Sequence, residues 1–174
     1  LSVKTGEIEE TRAELAEWEN SREPQPPRTE AVLKNRERLD ALNIPYQEFY
    51  KVLEFGEKLT DAECSRLEEA LMQMGILDAL VVDEQYREQV LRLAEGCEDR
   101  YLFVQKMRAD KSLLDVLELN DNVNDIFSNG RITAILQNIA YDGEGAVSVS
   151  KDGTYRMGVL AGTVTGQHNA GFLG

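Results

Sequence analysis

Histidine occurs once in this sequence and cysteine twice, and each scarcity removes a class of chemistry. The thiols, Cys64 and Cys97, have neither C-x-x-C nor Cys/His ligand spacing, which argues against a zinc site or a disulfide scaffold. Both fall on apolar sides of expected helices and read as buried free thiols of a reducing compartment. His168 lies among Gln167, Asn169 and Gly171 without a nearby cysteine or carboxylate, so it reads as an exposed loop residue rather than a base or ligand. No G-x-x-x-x-G-K-[ST] string is present to cradle phosphates, and nucleotide binding or hydrolysis is not expected. Apolar runs such as 76–82 are far shorter than the roughly 20 residues of a membrane span, and the acidic N-terminus has no signal-peptide core. The expectation is a soluble cytoplasmic chain with no catalytic residue, no cofactor, no metal and no membrane contact.

Positive charge is also short: 19 basic residues against 32 acidic give a net charge of −13. That balance repels a phosphate backbone, so DNA contact by this chain is expected to be weak or absent. What is present is ordinary globular material, 174 residues with 42% hydrophobic content, enough for one compact domain. Beginning at Leu1 rather than Met, it reads as a piece of something longer.

Two regions are expected. Residues 1–43 form a helical arm with a proline-rich elbow, the end of an incoming coiled coil. Its first helix, 7–22, carries Ile8, Leu15 and Trp18 at heptad-like spacing; a single amphipathic helix packed on the body is the alternative. Pro24, Pro26 and Pro27 break it, and Thr29 caps a second helix to about Leu42 with Val32, Leu39 and Leu42 in its seam. Residues 44–174 form the body. There 44–55 (IPYQEFYKVLEF) predicts a strand, and Thr60 with Glu63 forms a capping box. The helix behind that cap sets Cys64, Leu67, Ala70, Leu71 and Met74 on one face and stops at Gly75. A buried strand follows over 76–82, then a helix capped by Asp83 with Tyr86, Val90, Leu93 and Cys97 in period. This alternation gives the fold class as mixed α/β. From 100 to 141 the pattern reads as irregular helix, with Ser112 capping 113–119, a connection over 120–130, and an apolar face of Ile132, Ile135, Leu136 and Ile139. Val147 and Val149, the turn at Lys151, Asp152, Gly153 and Thr154, then Tyr155, Met157 and Val159 predict a terminal β-hairpin.

Candidate chemistry is sparse. The carboxylate pairs Glu68/Glu69 and Asp121/Asp125 read as solvated faces rather than cation ligands in so acidic a chain. Lys34, Arg36 and Arg38 read as solubility charges rather than phosphate contacts, with Glu37 and Asp40 beside them. Gly158, Gly162 and Gly166 recur every four residues, marking either a bend in an ordinary strand or a subunit contact.

Two strings carry a family likeness: YQEFYKVLEF at 46–55 and LTDAECSRLEEALMQMGILDALVV at 59–82. With REPQPPR at 22–28 and AGFLG at 170–174, they resemble the hinge of SMC-type proteins, specifically the SMC-like, MukB-like subunit of the Wadjet plasmid-defence condensin complexes. The resemblance implies an SMC-hinge-like body that homodimerises at the end of an antiparallel coiled coil. It also implies a nucleoid-associated DNA-loop-extruding parent with ATPase heads at its two ends, and kleisin, winged-helix and nuclease partners reached through that parent. The acidic balance departs from the basic inner surface of many such hinges. A self-complementary surface is then required, and 157–164, read as a strand, supplies the candidate dimer interface: Met157, Gly158, Val159, Leu160, Gly162 and Val164, with Gly166 beyond. The alternatives are an acidic α/β adaptor docking a protein through the elbow or the hairpin, and an enzyme using scattered carboxylates.

Overall fold

The computed structural model describes residues 25–92, 94–122, 129–167 and 171–173. The expected helix at 7–22 with its Ile8, Leu15 and Trp18 seam lies outside the described residues, as do Pro24, Leu93, Asp125 with most of the 120–130 connection, and His168.

Helix α1 (Glu30–Ala41) begins where Thr29 accepts a hydrogen bond from the Val32 amide, as its position before the helix predicts. It ends in a Schellman closure: Asn43 takes a positive φ of 56°, and the Ile44 amide donates to the Leu39 carbonyl at 3.0 Å. Helix α2 (Asp61–Gln73) carries the reciprocal Thr60/Glu63 box and the same closure, with Gly75 at φ 79° and the Ile76 amide on Leu71. Leu67, Ala70, Leu71 and Met74 are buried along it, while Cys64 is half-buried.

The expected strand over 44–55 is instead broken. β1 (Tyr46–Glu48) gives way to a 3-10 turn at Phe49–Val52, then β2 (Leu53–Phe55). The reason lies in the side chains: Phe49, Tyr50, Val52 and Leu53 are all buried. An unbroken strand would send neighbours to opposite faces, whereas a 3-10 turn stacks positions three apart on one side. The break lets β1 pair with β3 (Leu80–Val82) and β2 with β5 (Leu117–Leu119), in two separate sheets.

β3 is shorter than the 76–82 expected, because Ile76 to Ala79 complete the turn out of α2. Its three residues are buried on both faces: Val81 enters the main core, while Leu80 and Val82 pack with Leu39, Ile44 and Val90 beneath α1. Asp83 does act as a cap, but of a 3-10 turn (Glu84–Tyr86) that leads into a short α3 (Arg87–Leu91). Cys97 therefore sits beyond the helix, in an isolated bridge to Ala94, and is half-buried.

The stretch read as irregular helix contains strands. β4 (Tyr101–Leu102) runs parallel to β3, and Ser112 caps only a 3-10 turn (Leu113–Asp115) before β5. The alternation Leu117, Glu118, Leu119 opposite Leu53, Glu54 and Phe55 suits a paired strand, and that long-range partner overrides local helix propensity. α4 (Asn129–Gln137) buries Ile132, Ile135 and Leu136 as expected, with Ile139 just past its end. The last sheet runs in the order β6 (Ala140–Tyr141), β7 (Val147–Val149), β8 (Thr154–Met157), β9 (Leu160–Thr163). The β7–β8 hairpin turns where Lys151 to Thr154 predict it, and Arg66 of α2 holds the turn by donating to the Lys151 carbonyl at 2.7 Å. The fold is mixed α/β, with parallel and antiparallel pairs in two of the three small sheets among the described residues. No helix among the described residues is long and apolar enough to cross a membrane.

Candidate functional site: a free sheet edge and a clasped chain entry

The candidate interface residues form a hairpin tip and an edge strand rather than the single strand expected over 157–164. Met157 ends β8, Gly158 and Val159 make the turn, and Leu160 and Gly162 lie in β9, with Met157 opposite Leu160 and Tyr155 opposite Gly162. A two-residue turn fits here because Gly158 supplies the positive φ, 58°, that tight hairpins need. β9 pairs with β8 along one side and has no strand on the other among the described residues. Its outward backbone groups are open to another chain. Val159 is fully exposed, Leu160 about half, and Met157 also exceeds a third. The tip thus presents three neighbouring apolar side chains to solvent.

The other candidates face inward. Val164 is half-buried against the main core, its amide donating to the Gly153 carbonyl at 2.9 Å, and Gly166 packs against Ser65 and Arg66 of α2. Gly162 is enclosed as well: a Cβ there would lie 2.4 Å from the Tyr155 ring, so the ring covers the glycine. The four-residue spacing of these glycines therefore does not mark one common surface.

A second feature escaped the sequence reading. Arg28 donates to both carboxylate oxygens of Asp78, at 2.9 and 3.0 Å, and Arg36 reaches the same carboxylate at 3.1 Å and the Asp78 carbonyl at 2.8 Å. Arg36 also donates to both oxygens of Asp99, at 3.1 and 3.3 Å, and Asn35 joins Asp99 to the Tyr101 hydroxyl. The Arg36 side chain is 6% exposed and that of Asp99 0%. Burial opposes the charge on Arg36, but its hydrogen bonds to the Asp99 and Asp78 carboxylates, with their negative charge, outweigh it and hold its pKa above the ordinary arginine value. Arg36 is thus neither a solubility charge nor a phosphate contact. The seam of α1 is polar, built on Asn35 and Arg36 beside Leu39, while Leu42 is exposed. A signal did exist: Asp78 interrupts the apolar run ILDALVV, where an unpaired carboxylate could not be buried.

The chain's other described end is tied down similarly. Glu68, read from sequence as part of a solvated face, is 1% exposed and accepts from the Gly171 and Leu173 amides at 3.0 and 2.6 Å. Entry and exit meet on one side chain: Arg28 donates to the Tyr50 hydroxyl at 3.4 Å, and the Phe172 ring sits edge-on to Tyr50 with centroids 6.2 Å apart. Among the described residues no cluster of three or more His, Cys, Asp or Glu could hold a metal ion. Two buried polar atoms there lack a hydrogen-bond partner, Nε of Arg38 and the Tyr141 hydroxyl.

Neither a protein-family model nor a curated protein matches the chain. Among solved structures, the Pyrococcus furiosus Smc hinge domain with an extended coiled coil is similar at a TM-score of 0.46 and 16% identity. The likeness covers 92% of this chain and 63% of that one, so the chain spans less than two thirds of the structure it resembles.

Proposed function

We propose that this chain is a hinge: the homodimerisation module of an SMC-like DNA-loop-extruding ATPase, of the MukB-like JetC type that acts in Wadjet plasmid defence, with no catalysis of its own. The observation that carries the reading is the convergence of Arg28 and Phe172 on Tyr50, with the entering segment fixed by buried ion pairs and the leaving one by Glu68. A hinge at the end of an antiparallel coiled coil needs this: two arms leaving one rigid body side by side. The open β9 edge with Met157, Val159 and Leu160 is the self-complementary surface in this reading, since a two-fold contact uses the same patch on both copies. Cytoplasmic, nucleoid-associated action and the kleisin, winged-helix and nuclease partners follow from the family likeness of residues 46–55 and 59–82.

Sedimentation equilibrium tests the reading. The wild-type chain should be a dimer at micromolar concentration, and Val159→Asp with Leu160→Asp a folded monomer with an unchanged circular-dichroism spectrum. A wild-type chain that stays monomeric at high concentration would sink the hinge assignment, and a dimeric double variant would move the contact off the hairpin tip.

A further inference from the structure

We infer that the groove between residues 104–109 and 144–147 docks an acidic peptide segment of a partner protein through apolar anchor side chains. The groove has a volume of about 610 Å3. Val104, Met107, Ala146 and Val147 give it an apolar lining, and Met107 is 85% exposed. That exposure belongs to a held loop: Asn138 accepts from the Gln105 amide at 2.7 Å and donates to the Gln105 and Met107 carbonyls at 3.0 and 2.7 Å. The Ala109 amide donates to the Gln137 carbonyl at 2.8 Å, fastening the far end of the loop to α4. A backbone already fixed loses little further freedom on binding, so the ordering cost falls on the Met107 side chain alone.

Charge decides the occupant. In a chain of net charge −13, this groove is lined by Arg87, Lys106 and Arg108 against the single acid Glu144. Arg87 pairs with Glu84 and lies 4.6 Å over the Phe103 ring, whereas Lys106 and Arg108 form no ion pair among the described residues. Complementarity therefore favours an anionic partner. The apolar lining and the lack of unpartnered buried polar atoms among its described residues point away from a small polar ligand. They suit a segment that lays apolar anchors in the groove and acidic residues on its rim. This surface adjoins the hairpin tip, where Met157 lies opposite Val147 and the Gly158 amide donates to the Ala146 carbonyl at 2.7 Å, but it does not include the outer edge of β9, and the inference goes beyond the hinge reading.

The test uses fluorescence anisotropy with the full chain and a labelled synthetic helix of Glu carrying Leu at i, i+3, i+4 and i+7. Its controls are the same helix with Lys for Glu, and a short DNA duplex. The acidic helix should bind saturably and more weakly as salt rises, and the Lys helix should not bind. Lys106→Glu with Arg108→Glu, both exposed positions, should cost about tenfold or more in affinity, and Met107→Ser should weaken binding at unchanged salt dependence. Equal binding of the two helices, an unaltered affinity in the charge-reversed variant, or a duplex that outcompetes the acidic helix would each overturn the inference. So would loss of dimerisation in that variant, which would make a second copy the occupant. A monomeric wild type, by contrast, counts against the hinge alone.

Discussion

Asp78→Ala isolates the energetic weight of the clasp at the chain's entry. The Asp78 carboxylate is 5% exposed and neutralises two arginines, Arg28 and Arg36, whose side chains are 11% and 6% exposed. The backbone bond from Arg36 to the Asp78 carbonyl survives the substitution, and Arg36 keeps Asp99, but Arg28 is left facing the Tyr50 hydroxyl at 3.4 Å without a carboxylate. Removing one partner of a buried pair costs about 3–5 kcal/mol, because the remaining charge stays desolvated. Against a total stability of about 5–15 kcal/mol that is a large fraction, equivalent to a fall in Tm of about 6–20 °C for a chain of this size. Urea unfolding followed by circular dichroism reads the loss as a lower midpoint at constant m-value. Glu84→Ala, which breaks the exposed pair with Arg87, serves as the internal contrast and should cost at most about 1 kcal/mol. A cycle adding Arg28→Ala should return about 0.5–3 kcal/mol of coupling with Asp78. A loss below about 1 kcal/mol for Asp78→Ala, or no coupling, would show that these charges are solvated and that the entry is not clasped.

Leu71→Ala, at a fully buried position on α2, should destabilise by about 2–5 kcal/mol through the cavity it leaves, and an unchanged unfolding midpoint would misplace the core. Gly162→Glu forces the Tyr155 ring aside and should cost about 1–3 kcal/mol of stability whatever it does to association; thermal melts should therefore place it below the Val159→Asp, Leu160→Asp variant. Burial first, and nearby carboxylates second, push Tyr46 and Tyr141 up to about 12. A phenol whose folded pKa lies above its unfolded value of about 10 stabilises the fold fully below that value and less as pH rises through the folded one. Stability should accordingly decline between about pH 10 and 12, with part of the tyrosinate absorbance appearing late; six phenols all titrating near 10 would refute this.

Local grammar was legible in the sequence. Thr29, the Thr60/Glu63 box, the Gly75 stop, the apolar face of α2 and the Lys151 to Thr154 turn depend on residues within a few positions of one another, and each stands where its spacing places it. Met157, Val159 and Leu160 were expected as apolar contacts of one strand over 157–164, and the turn at Gly158 and Val159 that sets them on a hairpin tip was not read. Partners distant in sequence were not legible. The break at Phe49 arises because β1 and β2 must reach different sheets, and β5 exists because Leu53 to Phe55 lie opposite it. Arg36 and Glu68 look like surface charges until Asp99 and the Leu173 amide, 63 and 105 positions away, come to meet them. Sequence determined where helices cap and hairpins turn, because those bonds close locally. Which charges are buried, and that entry and exit meet on Tyr50, only the tertiary structure decided: a charge can leave water only once its partner has been brought to it.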